Sequence, residues 1–189
     1  MHRLLSCSLL ILSLATAVWA AEPRAEVALV NGKAFADQVE MDATGSLRLK
    51  GNVTVHVERV GADNAVADVA AEVVTVIMGQ DKQGKSSVQK LFANGKVHLE
   101  ATTRDEVKTE QRHIVTDCDR VRYLAADGIV HLLTDSDQPI VAHITTETRP
   151  NAKNGLKDTQ RYNFDVTARK TLDYRLNGAP IEEAGPGAG

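Results

Sequence analysis

Cysteine is nearly absent from this chain. Of the two present, Cys7 lies in an apolar leader and Cys118 stands alone in the remainder. No internal disulfide is expected, so the folded part must be held by its core. Aromatic residues make up only 4% of the sequence, which leaves Val, Leu, Ile and Ala to fill any interior. No cluster of lysines and arginines occurs, and the formal net charge is −3. Nucleic-acid binders carry a basic surface, so that class of partner is excluded. Beyond the first 20 residues helical periodicity is almost missing. There is also no Gly-rich phosphate loop, no serine nucleophile elbow and no His-Glu zinc motif. Neither a catalytic centre nor a metal or cofactor site is expected.

The N-terminus is the one strongly apolar segment. His2 and Arg3 precede the run Leu4 to Val18, which Ser6, Ser8, Ser13 and Thr16 dilute. Val18-Trp19-Ala20 then places small or branched residues where a signal peptidase reads. We read residues 1–20 as a signal peptide cleaved after Ala20, in preference to an uncleaved anchor, although Leu4 to Ala21 comes close to spanning length. Loss of Arg3 makes the mature charge one unit more negative. Residues 21–178 read as one β domain. Residues 179–189, with the run Glu182 to Gly189 (EEAGPGAG), read as a disordered tail.

A phrase recurs in that domain: a small residue, an acid, any residue, Val, any residue, then a large or branched apolar one. Its copies are Ala36 to Met41, Ala71 to Val76 and Cys118 to Tyr123, with Leu172 and Tyr174 as a worn fourth. Each of the three is followed by a Gly-x-Val element, at Gly51, Gly95 and Gly128. Such repetition predicts stacked β units.

Alternation between apolar and polar residues supports this. In Leu47 to Glu58, Leu47, Leu49, Val53, Val55 and Val57 share one face and polar side chains the other. Leu91, Val97 and Leu99 repeat the pattern around Gly95, and Val130 and Leu132 follow Gly128, where Ile129 and Leu133 suggest a strand covered on both sides. Gly51 and Gly95 are expected to be bulges or kinks inside long strands rather than hairpin turns. Asp127-Gly128 reads as a two-residue hairpin turn, Gly79 to Ser87 and Thr148 to Gln160 as loops, and Tyr162 to Val166 with Thr171 to Tyr174 as a last strand pair. Eight to ten strands in sequential antiparallel order predict an all-β domain, a twisted jelly roll or half-open barrel of repeated strand units.

The polar candidates have bland explanations. Asp37, Glu72 and Asp119 recur with the repeat. They are expected to sit two residues before the inward valines Val39, Val74 and Val121 and to accept backbone hydrogen bonds at strand starts. His56, His98 and His131 fall on the solvated face without ligand spacing, and Cys118 fills a small-residue slot. The specific product of the pattern is an aliphatic lining: Leu47, Leu49, Val53, Val55, Val57, Val74, Val76, Leu91, Val97, Leu99, Val121, Tyr123, Val130 and Leu132. A lining of this kind is either plain core or a trough that shelters lipid, where each sheltered methylene contributes about 0.8 kcal/mol.

The stretch ADQVEMDATGSLRLKGNVTVHVE, with its echoes VQKLFANGKVHLEA and DCDRVRYLAADGIVHLL, resembles the OstA-like family of lipopolysaccharide-transport proteins, of the LptA/LptC type, over about Ala34 to Thr134. The resemblance implies a β-jelly roll, V-shaped in section, whose interior holds the acyl chains of lipid A. It also implies end-to-end strand pairing with other OstA-like domains, including head-to-tail copies of the same chain, in a bridge between inner and outer membranes. The cleavable leader favours a soluble periplasmic, LptA-like member over an anchored LptC-like one. After Thr134 the repeat pattern is lost, and no basic site for lipid A phosphates is evident beyond Arg48, Lys50 and Lys96. The alternative reading is a structural or adaptor β domain of the envelope that polymerises through its edges.

Overall fold

A computed structural model describes residues 24–60, 65–80, 84, 86–105 and 109–176. The expected leader at 1–20 and tail at 179–189 lie outside the described residues. Among those described, every regular element is a strand. They are β1 (Ala25–Leu29), β2 (Gly32–Ala36), β3 (Gln38–Met41), β4 (Ser46–Val60), β5 (Ala65–Gln80), β6 (Ser86–Asp105), β7 (Glu110–Leu124), β8 (Ile129–Leu133), β9 (Ile140–Thr148), β10 (Gln160–Ala168) and β11 (Thr171–Arg175). All pairings are antiparallel, in one open sheet that does not close into a barrel. The fold is an all-β half-open jelly roll.

Four long strands, β4 to β7, run side by side and are crossed by a single crease. On one side of it β4 pairs with β3 and β7 with β8, which in turn pairs with β11. On the other side β4 pairs with β2 and β7 with β9, which pairs with β10. The crease thus splits the sheet into half one (β3, β8, β11) and half two (β1, β2, β9, β10), joined by the long strands.

The repeated phrase builds the crease. On β4 and β6 the crossing is made by two consecutive left-handed residues, Gly51-Asn52 (φ 74° and 45°) and Gly95-Lys96 (φ 80° and 47°). Each coincides with a register shift in which one extra residue is accommodated. On β5 and β7 the residues opposite are Glu72 and Asp119. An ideal Cβ on Gly51 would lie 2.4 Å from Asp37 Oδ2, and one on Gly95 2.5 Å from Glu72 Oε2. Glycine is therefore required for two reasons at once, its φ and the acid lying over it. Along β4 and β6 the buried positions step by four across the crease (Leu49 to Val53, Ala93 to Val97). Along β5 and β7 they step by three (Ala71 to Val74, Cys118 to Val121). The two kinds of crossing let all four strands keep apolar side chains inside on both halves.

Several expectations are corrected. Eleven strands occur among the described residues, and β10 and β11 do not pair with each other; they extend opposite halves, because β7 has already split its partners between β8 and β9. The segment after Thr134 completes the roll. The connection from β7 to β8 is a four-residue turn, Ala125 to Gly128, in which the amides of Asp127 and Gly128 both donate to Leu124 O, at 3.2 and 3.1 Å. Strand β5 continues through Gly79 and Gln80 into the expected loop. Val39 is inward by register, opposite Leu49, but exposed rather than covered, since no layer of the described residues lies over β3. The spacing of two residues before Val39, Val74 and Val121 would put the repeated acids on the inner face, yet they point outward, Asp37 and Glu72 exposed and Asp119 partly so, because the inward positions step by three there, from Ala36, Ala71 and Cys118 to those valines.

Candidate functional site: the apolar interior and its lips

The inner face is organised in transverse rows, one side chain per strand. In half one a row runs Met41, Leu47, Val76, Leu91, Tyr123, Val130, Tyr174, and beside it Val39, Leu49, Val74, Ala93, Val121, Leu132, Leu172. In half two the corresponding rows include Val57, Ala67, Ala101, Ile114, Ile144, Phe164 and Val55, Val69, Leu99, Thr116, Ala142, Val166. All fourteen positions named from alternation are buried on this face. Sequence reasoning missed Val69, Ile114, Ala142 and Ile144, which are buried with them. Ile140, Ala142 and Ile144 carry the same alternation, but beyond the last Gly-x-Val element and so outside the repeat that pointed to the others.

The two halves face each other. One cavity is lined from half two by Val57, Val69, Leu99 and Ala101 and from half one by Leu91, Val121, Tyr123 and Val130. Its volume is about 30 Å³, room for little more than a water molecule or two.

At both ends the inner face runs out from under cover. Val39 and Met41 on β3 are 38% and 71% exposed, and Tyr162 and Phe164 on β10 are 56% and 49% exposed. By register all four belong to the inner face. These apolar overhangs lie on opposite halves, one on the N-terminal edge of half one and one on the C-terminal edge of half two.

The inner face of half two also changes polarity. Two residues beyond the row through Ala101, the next row reads Thr103, Arg112, Thr146, Tyr162. The Arg112 guanidinium donates to Glu110 Oε1 at this lip. Tyr174, from half one, has Thr103, Arg112 and Glu110 as its polar neighbours across the interior. Burial pushes the phenols of Tyr123 and Tyr174 above their ordinary range. Neither hydroxyl has a partner in hydrogen-bonding geometry, although Thr103 comes close to that of Tyr174, and Nε of Arg175 has none either.

The outer face carries the polar candidates. His56 Nδ1 lies 2.7 Å from Asp68 Oδ1, His98 2.8 Å from Asp117, His131 2.8 Å from Asp173 and His143 2.7 Å from Asp165. Each pair stands directly opposite in register, so these are cross-strand pairs of a solvated face. No group of three metal-ligating side chains occurs among the described residues. Asp119 Oδ2 accepts from Thr134 Oγ1 at 2.8 Å and from the amides of Asp135 and Ser136 at 2.7 and 3.1 Å. Asp37 Oδ2 accepts from Asn52 Nδ2 at 3.0 Å. Asp37 and Asp119 therefore tie the crease to neighbouring segments. The Cys118 thiol, buried beside Arg120 O, is pushed up to about 11 by desolvation; it is a packed small residue without a nucleophile's character. Comparison of the sequence with protein-family models and with curated proteins finds no match to either.

Proposed function

We propose that this chain is an exported, periplasmic, non-enzymatic lipid-binding domain. Its interior would shield the acyl chains of lipopolysaccharide or a similar envelope lipid, and its edges would join it to like domains. The observation that carries this reading is the pair of unbroken apolar rows in half one, which continue beyond the covered interior onto an exposed edge strand. A core that served packing alone would have no reason to extend its inner face through Met41. The likeness to the OstA-like family points the same way.

An acyl chain would enter by parting the two halves at the crease, where pairing on β4 and β6 is already interrupted by left-handed residues. A photo-crosslinking amino acid at Val55 or Leu99 tests the reading in cells. Lipid adducts are expected; protein adducts alone, or none, would sink it. One observation favours a second reading. The small cavity between the halves, about 30 Å³, suits an envelope adaptor that pairs through its edges and carries nothing, and this predicts no lipid adduct in the same experiment.

A further inference from the structure

A buried hydroxyl without a partner is rare in folded proteins and costs stability, so each instance calls for an explanation. Here two lie on the same inner row. Tyr123 is only 3% exposed, lines the cavity between the halves, and leaves its Oη unpaired. Tyr174 stands two strands away in that row, with Val130 between them, and its buried Oη has only Thr103 near it, outside good hydrogen-bonding geometry. Apart from Tyr123, the residues lining the cavity are aliphatic, and Tyr174 is not among them. Packing does not require these hydroxyls, since phenylalanine would fill the same space.

The polarity of the surrounding surface gives them a direction. From the crease outward, the inner face of half two passes from Leu99 and Ala101 to Thr103 and then to the Arg112–Glu110 pair. Tyr174 faces this polar lip, and Tyr123 lies deeper, where the surface is aliphatic. An occupant matched to that order is apolar along most of its length and polar at one end. A polar end that accepts hydrogen bonds suits the site, because a neutral phenol donates through its O–H more strongly than its oxygen accepts.

We propose that the interior recognises the carbonyl head of an acyl chain, with the Tyr123 and Tyr174 hydroxyls donating to the carbonyl oxygens and the chain directed away from the Thr103–Arg112 lip. This rests on the lipid-binding reading above and names what that site selects. A free carboxylate and an ester share the carbonyl oxygen, and the test separates them. Tyr123 is here a specificity-determining residue: it distinguishes an acyl head from a plain hydrocarbon.

The experiment displaces a fluorescent acyl probe from the purified domain with palmitate, methyl palmitate or hexadecane, using wild type, Tyr123→Phe and Tyr174→Phe. Wild type is expected to bind palmitate or its ester more tightly than hexadecane, the stronger of the two identifying the source of the carbonyl. Tyr123→Phe should weaken that ligand about tenfold or more, the scale of one hydrogen bond to a charged or strongly polar group, and leave hexadecane unchanged. Without ligand, Tyr123→Phe should melt higher than wild type by about 2–4 °C, because an unpaired hydroxyl has been removed. If all three ligands bind equally to wild type and variant, the apolar interior still holds lipid and the carbonyl recognition is wrong. A variant that melts lower would mean the hydroxyl is already satisfied, for example by a water, and would also overturn it. Binding of none of the three removes the lipid-binding reading itself. Tyr174→Phe provides the same comparison should Tyr123→Phe not fold.

Discussion

At the scale of single residues, the crease turns on two glycines held under acids. Gly95 and Gly45 share φ 80°, but an added Cβ meets Glu72 at Gly95 and nothing within 4 Å at Gly45. Gly45→Ala should therefore cost only the left-handed penalty, about 1–2 kcal/mol. Gly95→Ala should cost about 1–3 kcal/mol more, as the bulge or Glu72 is displaced. Urea denaturation of the two variants isolates the contact, and equal losses would show that Glu72 yields freely. Asp119 gives a pH prediction. The Thr134 hydroxyl and the amides of Asp135 and Ser136 hold its carboxyl below its ordinary 3.8. A carboxyl depressed in the folded state adds stability above its unfolded value, and that stability is lost as pH falls from about 4 through the lower folded value. Asp119→Asn should be less stable than wild type at neutral pH, and the gap should close in acid. A gap that stays constant down to about pH 2 would show that the charge is immaterial.

At the scale of the strands, much of the inner face was legible because alternation is a local property. Leu47, Leu49, Val53, Val55 and Val57 announce one buried face in sequence order, and the structure buries all five. Three features were not legible. The change of step at Glu72 and Asp119 depends on what lies opposite in the neighbouring strand, which spacing within one strand does not reveal. The separation of β10 from β11 is set by the branching of β7 between β8 and β9, a choice made by long-range pairing. The unpaired Tyr123 hydroxyl was equally hidden, since alternation reports which way a side chain points and nothing of what its far end meets. The same row yields a stability test. Leu49 and Val39 are cross-strand partners, one fully buried and the other exposed. Leu49→Ala should cost about 2–5 kcal/mol, whereas Val39→Ala should stay within about 1 kcal/mol. Comparable losses would mean that β3 is covered in solution, as it would be in a self-associated form.

For the whole molecule, the overhangs at Val39–Met41 and Tyr162–Phe164 are exposed apolar surface on edge strands, which ordinary monomers keep small or guard with charge. Under the proposed end-to-end joining, sedimentation should show association that grows with concentration. Met41→Lys or Phe164→Lys should abolish it while leaving the melting temperature nearly unchanged. A wild-type chain that stays monomeric at high concentration would restrict its joining to other partners. The crease carries a further consequence, for how such a chain can grow. Crossings alternate along it: a left-handed pair on β4, an acid on β5, a left-handed pair on β6, an acid on β7. A duplicated hairpin adds one crossing of each kind and restores the alternation, whereas a single added strand would set two like crossings side by side. Adding or deleting strands in steps of a hairpin is thus the change in length that keeps this alternation. The length of the sheltered space becomes a counted quantity, inherited in whole units.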